Sequence, residues 1–404
     1  MKKILIIGCT EVTKVVVKAL CNDITSAGEI CIASLDKSEC DVYRKKYQGA
    51  PVRITTARVD VTTKQGTMMM LSITQPELII NLTPPELSLT VMNLALEIGA
   101  DYIDSELFEW NSGNLLSRQF ENFSNFRVKN LTAICGCAFN PSVLTSFVRL
   151  ASDTRFDEIS SVDVLETNMR SVAEVTDIRD IIESNDFKAE SERVIMLQDN
   201  KKVESEPLSL KTEVELPDIG KNTLYLLNDP IVEDFAMEIP EVPNVRYFST
   251  YEKKSDETID FLKKIGMLST EPVEINGTKI APIDFLAKVM PMESTKSVPQ
   301  GMSGSGVLVT GKKKGEDKTY FISVSSDNQA CMENNEVSVA DYFDAMTLIS
   351  GVKMLCRGKW KKPGVFTACA FDPDILLSAM RKEGFKYQIT EASPLKTAKE
   401  KGDK

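Results

Sequence analysis

Short apolar runs alternate with helix-like segments along the first 140 residues, and this alternation constrains the fold more than any other feature. KILIIG, EICIAS, VRITTARVD, ELIINLT and DYIDS end at or beside Gly8, Ser34, Asp60, Thr83 and Asp104, and LTAICGC follows as a sixth run. Runs without polar alternation predict strands buried on both faces, as in a parallel sheet covered by helices. We therefore predict an α/β, Rossmann-like domain that binds ligands at the carboxyl ends of its strands.

The pattern changes after about residue 140. ISSVDVLET, TLYLL and VRYFSTY look like strands without regular helices between them, and SGVLVTG and TYFISVSS flank GKKKGEDK like the arms of a hairpin. Helices are predicted at 142–152, 256–266, 282–290 and 337–357. We predict a Rossmann-like nucleotide-binding domain at 1–139, a mostly antiparallel α+β domain at 140–358, a return to the first domain at 359–392 and a disordered tail at 393–404.

Gly8 opens the segment in which a dinucleotide-binding domain carries its three-glycine phosphate loop. This first glycine keeps the tight turn, but Thr10 and Thr13 stand where the other two glycines would be. We expect Thr13 to hold the helix slightly away from the strand. A Glu11 carboxylate about 5 Å from a phosphate would oppose it by about 3 kcal/mol. A working cofactor site and an ordinary strand–helix turn both remain open for this loop.

The second predicted strand ends in Ser34-Leu35-Asp36. A carboxylate here would hydrogen-bond a ribose 2′-hydroxyl and repel a 2′-phosphate. No arginine stands in this turn, although Lys37 is adjacent. The turn therefore favours NAD over NADP if a cofactor binds. The alternative is that Asp36 only caps the helix predicted at 37–47.

Composition excludes several classes of chemistry. The chain has 404 residues, nine cysteines and no histidine, so acid–base chemistry falls to Asp, Glu, Lys, Tyr or Cys. Cys135 and Cys137 lack a second pair at metal-ligand spacing, so we predict reduced thiols and no metal site. The net charge of −11 argues against nucleic acid, and no apolar run approaches the roughly 20 residues that span a bilayer. We expect a cytoplasmic protein with a small-molecule substrate.

Segments spread over most of the chain carry a family resemblance. ASLDKSEC, QPELIINLTPPE, ADYIDS and ICGCAFNPSV resemble the saccharopine dehydrogenase family. LKKIGMLSTEPVEINGTKIAPIDFLAKVMP, RGKWKKPGVF and FDPDILLSAM are similar to its carboxynorspermidine and carboxyspermidine synthase (dehydrogenase) branch. The resemblance implies a homodimer and NADPH-dependent reduction of an imine, formed in this branch from aspartate semialdehyde and a diamine. The cofactor is thus NAD or NADP, with the family favouring NADP and the Asp36 turn favouring NAD.

The sequence departs from the family where the resemblance places chemistry. The loop G-x-G-x-x-G reads Gly8-Cys9-Thr10-Glu11-Val12-Thr13, and the serine–arginine pair for a 2′-phosphate reads Ser34-Leu35. The turn G-F-D-P-G reads Ala138-Phe139-Asn140-Pro141-Ser142, so an amide replaces a carboxylate. Asp-His-Gln reads Asp327-Asn328-Gln329, and Tyr-Thr-Thr-Gly-Val-Pro begins at Tyr342 and continues Phe-Asp-Ala-Met-Thr. These changes predict a retained fold with altered or lost activity.

Two hypotheses follow. One is an NAD(P)-dependent oxidoreductase that acts on a C–N bond, and the other is a non-catalytic dimeric scaffold or ligand sensor. For the enzyme, the candidate catalytic residues are Asp104, Asn140 and Tyr342, and the candidate substrate ligands are Asp327 and Gln329. The candidate cofactor-binding residues are Gly8, Thr10, Glu11, Val12, Ser34, Asp36, Asp60, Thr83 and Pro84. Capping, turn and packing roles are the alternatives for the catalytic and cofactor-binding candidates, and a surface loop is the alternative for Asp327 and Gln329.

Overall fold

The computed structural model describes residues 2–106, 108–109, 113–167, 193–251, 261–262, 264–269, 271–275, 277–289 and 300–399. The helix predicted at 256–266 falls mostly outside the described residues. The strands are β1 (Lys2–Ile7), β2 (Ala27–Ser34), β3 (Arg53–Arg58), β4 (Leu78–Asn81), β5 (Asp101–Asp104), β6 (Phe108–Glu109), β7 (Gly113–Asn114), β8 (Thr132–Ile134), β9 (Glu158–Thr167), β10 (Val194–Gln198), β11 (Lys201–Ser205), β12 (Leu210–Leu216), β13 (Gly220–Leu226), β14 (Val245–Ser249), β15 (Val273–Ile275), β16 (Thr278–Ile280), β17 (Met302–Lys313), β18 (Glu316–Asp327), β19 (Gly364–Phe366), β20 (Gln388–Glu391) and β21 (Ala398–Lys399).

Twelve α-helices lie within the same residues. They are α1 (Glu11–Leu20), α2 (Lys37–Lys46), α3 (Lys64–Thr74), α4 (Ser88–Ile98), α5 (Leu115–Phe120), α6 (Phe123–Val128), α7 (Leu144–Arg155), α8 (Ile231–Glu238), α9 (Pro282–Val289), α10 (Asn328–Asn335), α11 (Val339–Cys356) and α12 (Pro373–Lys382). Short 3-10 turns cover Pro85–Leu87 and Ala368–Ala370, and a π-type turn covers Phe139–Val143. The helix 337–357 and the hairpin arms predicted from the sequence correspond to α11 and to β17 and β18.

Seven parallel strands form the first sheet in the order β19-β8-β5-β4-β1-β2-β3. β1 lies between β2 and β4, so successive crossovers proceed in opposite directions on its two sides. In doubly wound sheets the ligand lies beyond the carboxyl ends of the strands at such a switch point. The predicted Rossmann-like sheet is confirmed, and its edge at the ends of β1 and β4 is the expected place for a ligand.

The second sheet follows the order β20-β18-β17-β9-β14-β13-β12-β21, and β10 joins β14 and β11 beside it. Among the described strands of this sheet, only β9 and β14 pair in parallel. The predicted α+β, mostly antiparallel second region is therefore confirmed.

One buried apolar cluster joins the two sheets through α1, α7, α11 and α12. It includes Ile6 of the first sheet, Val307 of the second and Ile349 of α11, each at most 1% exposed. A Cβ on Gly351 would lie 2.6 Å from Sγ of Cys137, so α11 packs directly on the segment after β8. Nearer the start of α11, Asp344 accepts from the Phe139 N–H at 2.8 Å, which places this part of the helix beside the turn that follows β8.

The C-terminal segment contributes to both sheets. β19 pairs with β8 in the first sheet, and β20 pairs with β18 in the second. Ala398 and Lys399 pair with Lys211 and Leu210, and Thr212 Oγ1 donates to the Lys396 carbonyl at 2.9 Å. Contacts with β12 therefore reach into the segment 393–404 that the sequence predicts to be a disordered tail.

Candidate active site at the edge of the first sheet

Gly8 ends β1 in a conformation that a side chain would disrupt. Its φ is +114°, and a Cβ would lie 2.2 Å from the Leu82 carbonyl oxygen that follows β4. Gly8 N–H donates to the Ala33 carbonyl at 2.9 Å. The glycine therefore lets the loop pass directly over the ends of β1 and β4, which is the turn role predicted for it.

Thr13 fastens this loop to α1. Its hydroxyl donates to the Gly8 carbonyl at 3.0 Å and accepts from the Thr10 N–H at 3.0 Å. The side chain is fully buried. Its hydroxyl thus bonds to both sides of the loop and ties the start of α1 to the end of β1. The N–H of Thr10 is consequently engaged, and the Thr13 N–H donates to the Thr10 carbonyl at 3.1 Å, so the start of α1 is closely tied to the loop.

Glu11 is paired with a lysine one turn along α1. Lys14 Nζ lies 2.6 Å from Glu11 Oε2, and about a third of each side chain is exposed. The ammonium compensates the carboxylate charge that was expected to oppose a phosphate at the helix N-terminus. The loop therefore presents a neutral pair at this point. The repulsion between the Glu11 carboxylate and a bound pyrophosphate should be smaller than the sequence analysis expected.

The turn after β2 carries charges of both signs. Asp36 Oδ1 accepts from the Ser38 N–H at 2.8 Å, so this residue caps α2, and that hydrogen bond lowers the pKa of its carboxyl. Ser34 Oγ donates to the Asp36 carbonyl at 2.6 Å and lies 3.3 Å from Glu39 Oε2. Arg58 of β3 donates through Nε to the Leu35 carbonyl at 3.2 Å. Sequence reasoning placed no arginine in this turn, because Arg58 comes from the neighbouring strand.

Asp60, Thr83 and Pro84 stabilise the turns that follow their strands. Asp60 Oδ1 accepts from the Thr62 N–H at 3.0 Å and from its hydroxyl at 2.6 Å. Thr83 Oγ1 donates to Asn81 Oδ1 at 2.8 Å, and Pro84 precedes the 3-10 turn Pro85–Leu87. Asp60 lies beyond the β3 end, and Thr83 and Pro84 lie at the switch point.

Asp104 lies at the centre of a buried hydrogen-bond network. Its Oδ2 accepts from the Tyr102 hydroxyl at 2.7 Å and from Gln119 Nε2 at 2.6 Å, and its Oδ1 accepts from the Gly136 N–H at 2.7 Å. Tyr102 OH in turn accepts from Asn81 Nδ2 at 3.0 Å. Burial raises the pKa of Asp104 to about 7, although the three donors lower it. These contacts make Asp104 a brace between β5 and the segment after β8, with no exposed surface.

Asn140 lies in the turn after β8, between two carboxyl groups. Its Nδ2 donates to Asp229 Oδ1 at 3.3 Å, and the preceding Phe139 N–H donates to Asp344 Oδ1 at 2.8 Å. The Asn140–Pro141 peptide is cis. Burial raises the pKa of Asp344 to about 7, an effect that Glu106 and other acidic groups reinforce. Asp344 therefore exchanges a proton near neutral pH, which is the property required of a general acid or base.

Tyr342 does not face the Asn140 turn in the same direction as Asp344. It stands two residues before Asp344 on α11, and residues at i and i+2 of a helix point in different directions. The acidic groups that act on the Tyr342 hydroxyl are Cys331 and Glu383, and burial raises its pKa. Among the described residues, no hydrogen bond joins any two of Asp104, Asn140 and Tyr342, the predicted catalytic residues.

The two candidate substrate ligands lie at the start of α10. Asp327 Oδ1 accepts from the Ala330 N–H at 2.8 Å and caps the helix, and Gln329 is exposed. Asn328 between them is buried and accepts from the Ser303 hydroxyl at 2.9 Å. No contact among the described residues links Asp327 or Gln329 to Asn140.

Sequence reasoning missed Asp229, Asp344, Lys14 and Arg58. A single carboxylate inside the mostly apolar stretch 343–355 was the available signal for Asp344. Lys14 at i+3 from Glu11 was the signal for the ion pair. Arg58 needed the strand register, which pairs it with Ser34. Within the described residues, no group of three His, Cys, Asp or Glu side chains is placed to hold a metal, and no helix is long and apolar enough to cross a membrane.

The strand order and the loop over β1 and β4 are those of the doubly wound α/β class, to which many dinucleotide-binding domains belong. Residues 4–132 match the family model described as the saccharopine dehydrogenase NADP binding domain. The apo, histidine-tagged saccharopine dehydrogenase (L-Glu forming) from Saccharomyces cerevisiae has the same fold, with a TM-score of 0.69, 14% identity, and coverage of 97% of this chain and 100% of that one.

Two curated relatives match over nearly their whole lengths. Carboxyaminopropylagmatine dehydrogenase from Synechocystis sp. is 27% identical, over 98% of this chain and 99% of that protein. Carboxynorspermidine synthase from Vibrio alginolyticus is 24% identical, over 97% of each chain. The resemblance predicted from the sequence is confirmed: the chain is similar to saccharopine dehydrogenase-like proteins along nearly its whole length, and these comparisons support an NAD(P)-dependent oxidoreductase.

Proposed function

We propose that this protein reduces an imine formed between an amino-acid aldehyde and a cationic amine, and so makes a carboxylated polyamine. The observation that carries the proposal is the pair of carboxyl groups, Asp229 and Asp344, that accept hydrogen bonds from the turn at Phe139 and Asn140. Glu166, only 6% exposed, and the exposed Glu106 are near enough to raise the pKa of Asp344 further. Such a concentration of acidic groups favours a substrate with protonated amines.

The edge of the first sheet suits a dinucleotide in the orientation common to this class. The α1 N-terminus would hold the pyrophosphate, with Gly8, Thr10, Glu11 and Val12 beneath it. Ser34, Asp36 and Asp60 would face the adenosine, and Thr83 and Pro84 would lie beside the switch point. A bound reduced nicotinamide supplies the hydride to the imine carbon. We expect NADH to bind more tightly than NADPH, because the Glu39 carboxylate lies 3.3 Å from the Ser34 hydroxyl and the Asp36 carboxylate caps α2 in the same turn, where both would oppose a 2′-phosphate.

Asp344 would hold the proton that the imine nitrogen needs. Its protonated form is populated up to about pH 7, since burial raises the pKa of its carboxyl to about 7. Asn140 would orient the substrate through its side-chain amide. Asp229 Oδ1 accepts a hydrogen bond from the nitrogen of this amide and so would hold it in position. The rate of imine reduction should therefore decline as the pH rises above about 7, because the protonated carboxyl is lost.

The test mixes the enzyme with aspartate semialdehyde and with 1,3-diaminopropane, putrescine or agmatine. The reduction is monitored by the loss of NADH or NADPH absorbance, and the product is identified by mass spectrometry. We expect consumption that requires both the aldehyde and one of the amines. Consumption without amine, or none with any amine despite bound dinucleotide, would contradict the proposed reaction.

Two variants separate the candidate proton donors. Asp344→Asn should lower kcat by about a hundredfold or more while leaving the dinucleotide Kd unchanged. Tyr342→Phe should retain most of the activity. The opposite pattern would support Tyr342, the donor predicted from the sequence.

A homodimer and a cytoplasmic location remain predictions from the resemblance and the sequence. Sedimentation of the purified protein tests the first of them.

A further inference from the structure

Two cysteines meet beneath the phosphate loop. Cys9 follows Gly8 in the loop, Cys40 lies on α2, and their sulfurs are 3.4 Å apart. Cys9 is partly exposed, whereas Cys40 is fully buried. Cys40 Sγ also lies 3.4 Å from Ser34 Oγ, at the end of β2. The thiol pair thus sits between the part of the site that would hold phosphate and the part that would hold adenosine.

We propose that Cys9 and Cys40 are a redox-sensitive pair that forms a reversible disulfide and thereby fastens the phosphate loop to α2. A disulfide needs a sulfur–sulfur distance of about 2.05 Å, so the two sulfurs must approach by about 1.4 Å. A side-chain rotation combined with a small loop shift supplies such a movement. Disulfides in reducing compartments are generally transient and serve sensing or catalysis.

The protonation of the pair favours this chemistry. Because the Cys9 thiol donates to Cys40, the pKa of Cys40 falls to about 7 while that of Cys9 rises. The pair therefore loses one proton near neutral pH and shares the other. Transfer of the shared proton to Cys40 generates the Cys9 thiolate at the sulfur that faces solvent, and the thiolate is the reactive form.

A peroxide is the oxidant class that balances the reaction. The Cys9 thiolate attacks one peroxide oxygen, the O–O bond breaks, and with one proton the products are Cys9 sulfenic acid and water. The Cys40 sulfur, after giving up its proton, then attacks the Cys9 sulfur and expels hydroxide, which becomes water. Two thiols and one hydrogen peroxide thus yield one disulfide and two waters. A dithiol reductant reverses the oxidation by exchange.

Oxidation should weaken dinucleotide binding, a consequence that rests on the proposed function. The shift moves the backbone between Gly8 and Thr10, where the pyrophosphate would approach. Gly8 has little room to adjust, since even a Cβ at this position would lie 2.2 Å from the Leu82 carbonyl oxygen. Reciprocally, bound dinucleotide should cover Cys9 and slow its oxidation.

The chemical part is tested on the full chain with hydrogen peroxide, followed by alkylation, trypsin digestion and mass spectrometry. We expect peptide 4–14 linked to peptide 38–44, each of which holds one cysteine, and a fall in free thiols from nine to seven. Cys9→Ser and Cys40→Ser should abolish the linked peptide. Cys356→Ser is the matched control, because Cys356 is the other partly exposed thiol, and it should leave the linkage intact. Absence of the linked peptide in the wild type would overturn the proposal.

The binding part compares NADH titrations of reduced, oxidised and re-reduced protein. We expect at least tenfold weaker binding after oxidation, full recovery with dithiothreitol, and no effect of peroxide on Cys9→Ser. Unchanged affinity of the disulfide form would overturn the coupling to the loop. Reduced protein that forms the disulfide yet binds neither NADH nor NADPH would support the thiol chemistry and overturn the proposed function instead.

Discussion

Replacing Asp104 by asparagine should change how the stability of the protein depends on pH. Burial raises the pKa of Asp104 from 3.8 to about 7 in the folded protein. A folded-state pKa above the unfolded one gives stability that is complete below pH 3.8 and is lost as the pH rises through about 7. Between pH 5.5 and 8 the loss for this one group integrates to about 2 kcal/mol, and over the full interval to about 4 kcal/mol.

The measurement is urea unfolding of the wild type and of Asp104→Asn at pH 5.5 and pH 8. Other buried carboxyls titrate in both proteins, so only the difference between the two pH slopes reports on Asp104. We expect the free energy of unfolding of the wild type to fall by about 2 kcal/mol more than that of the variant. Equal slopes would refute the conclusion that Asp104 is a buried, late-titrating brace.

Tyr102→Phe is the matched control for this experiment. It removes one of the three donors to the carboxyl and leaves the carboxyl in place. Since that hydrogen bond lowers the pKa of Asp104, its loss should move the pH-dependent decline to higher pH. A decline at lower pH would contradict the assigned direction of the hydrogen-bond effect.

Three further predictions concern the cofactor end of the site. Gly8→Ala should unfold the first domain or lower its stability by more than about 3 kcal/mol, measured by denaturation, because of the positive φ and the contact with the Leu82 carbonyl. Glu11→Gln should tighten NADH binding about threefold, whereas Lys14→Ala should weaken it, and titrations that move the other way would contradict the compensating ion pair. Arg58→Ala should weaken NADPH about tenfold and NADH less than twofold, which parallel titrations check.

The sequence was sufficient for the fold because its signal is local. Six apolar runs separated by helix-length segments permit few arrangements other than a parallel doubly wound sheet. The hairpin of β17 and β18 could also be predicted, from the alternation of apolar and polar residues in its strands and from the turn between them. The C-terminal strand β21 could not be predicted in this way, since Ala398 and Lys399 carry no apolar pattern and form a strand through their pairing with β12.

The site was less predictable because its contacts are long-range. Asp104 looked like a polar residue at a strand end, and only the positions of Tyr102, Gln119 and Gly136 reveal that it is enclosed. Asp344 reaches Phe139 across 205 residues of sequence. Composition and spacing do not reveal a contact between residues so far apart in the sequence, whereas the cap at Asp36 is local and was predicted as an alternative role.

The central claim is that the loop over β1 and β4 binds a dinucleotide although two glycines of the usual fingerprint are threonines. Calorimetric titration of the reduced protein with NADH and with NADPH tests it most directly. We predict micromolar binding of at least one of them, with NADH the tighter, because Lys14 compensates Glu11 and Asp36 and Glu39 disfavour a 2′-phosphate. No binding of either at millimolar concentration would contradict the account and leave the retained fold with a non-catalytic role.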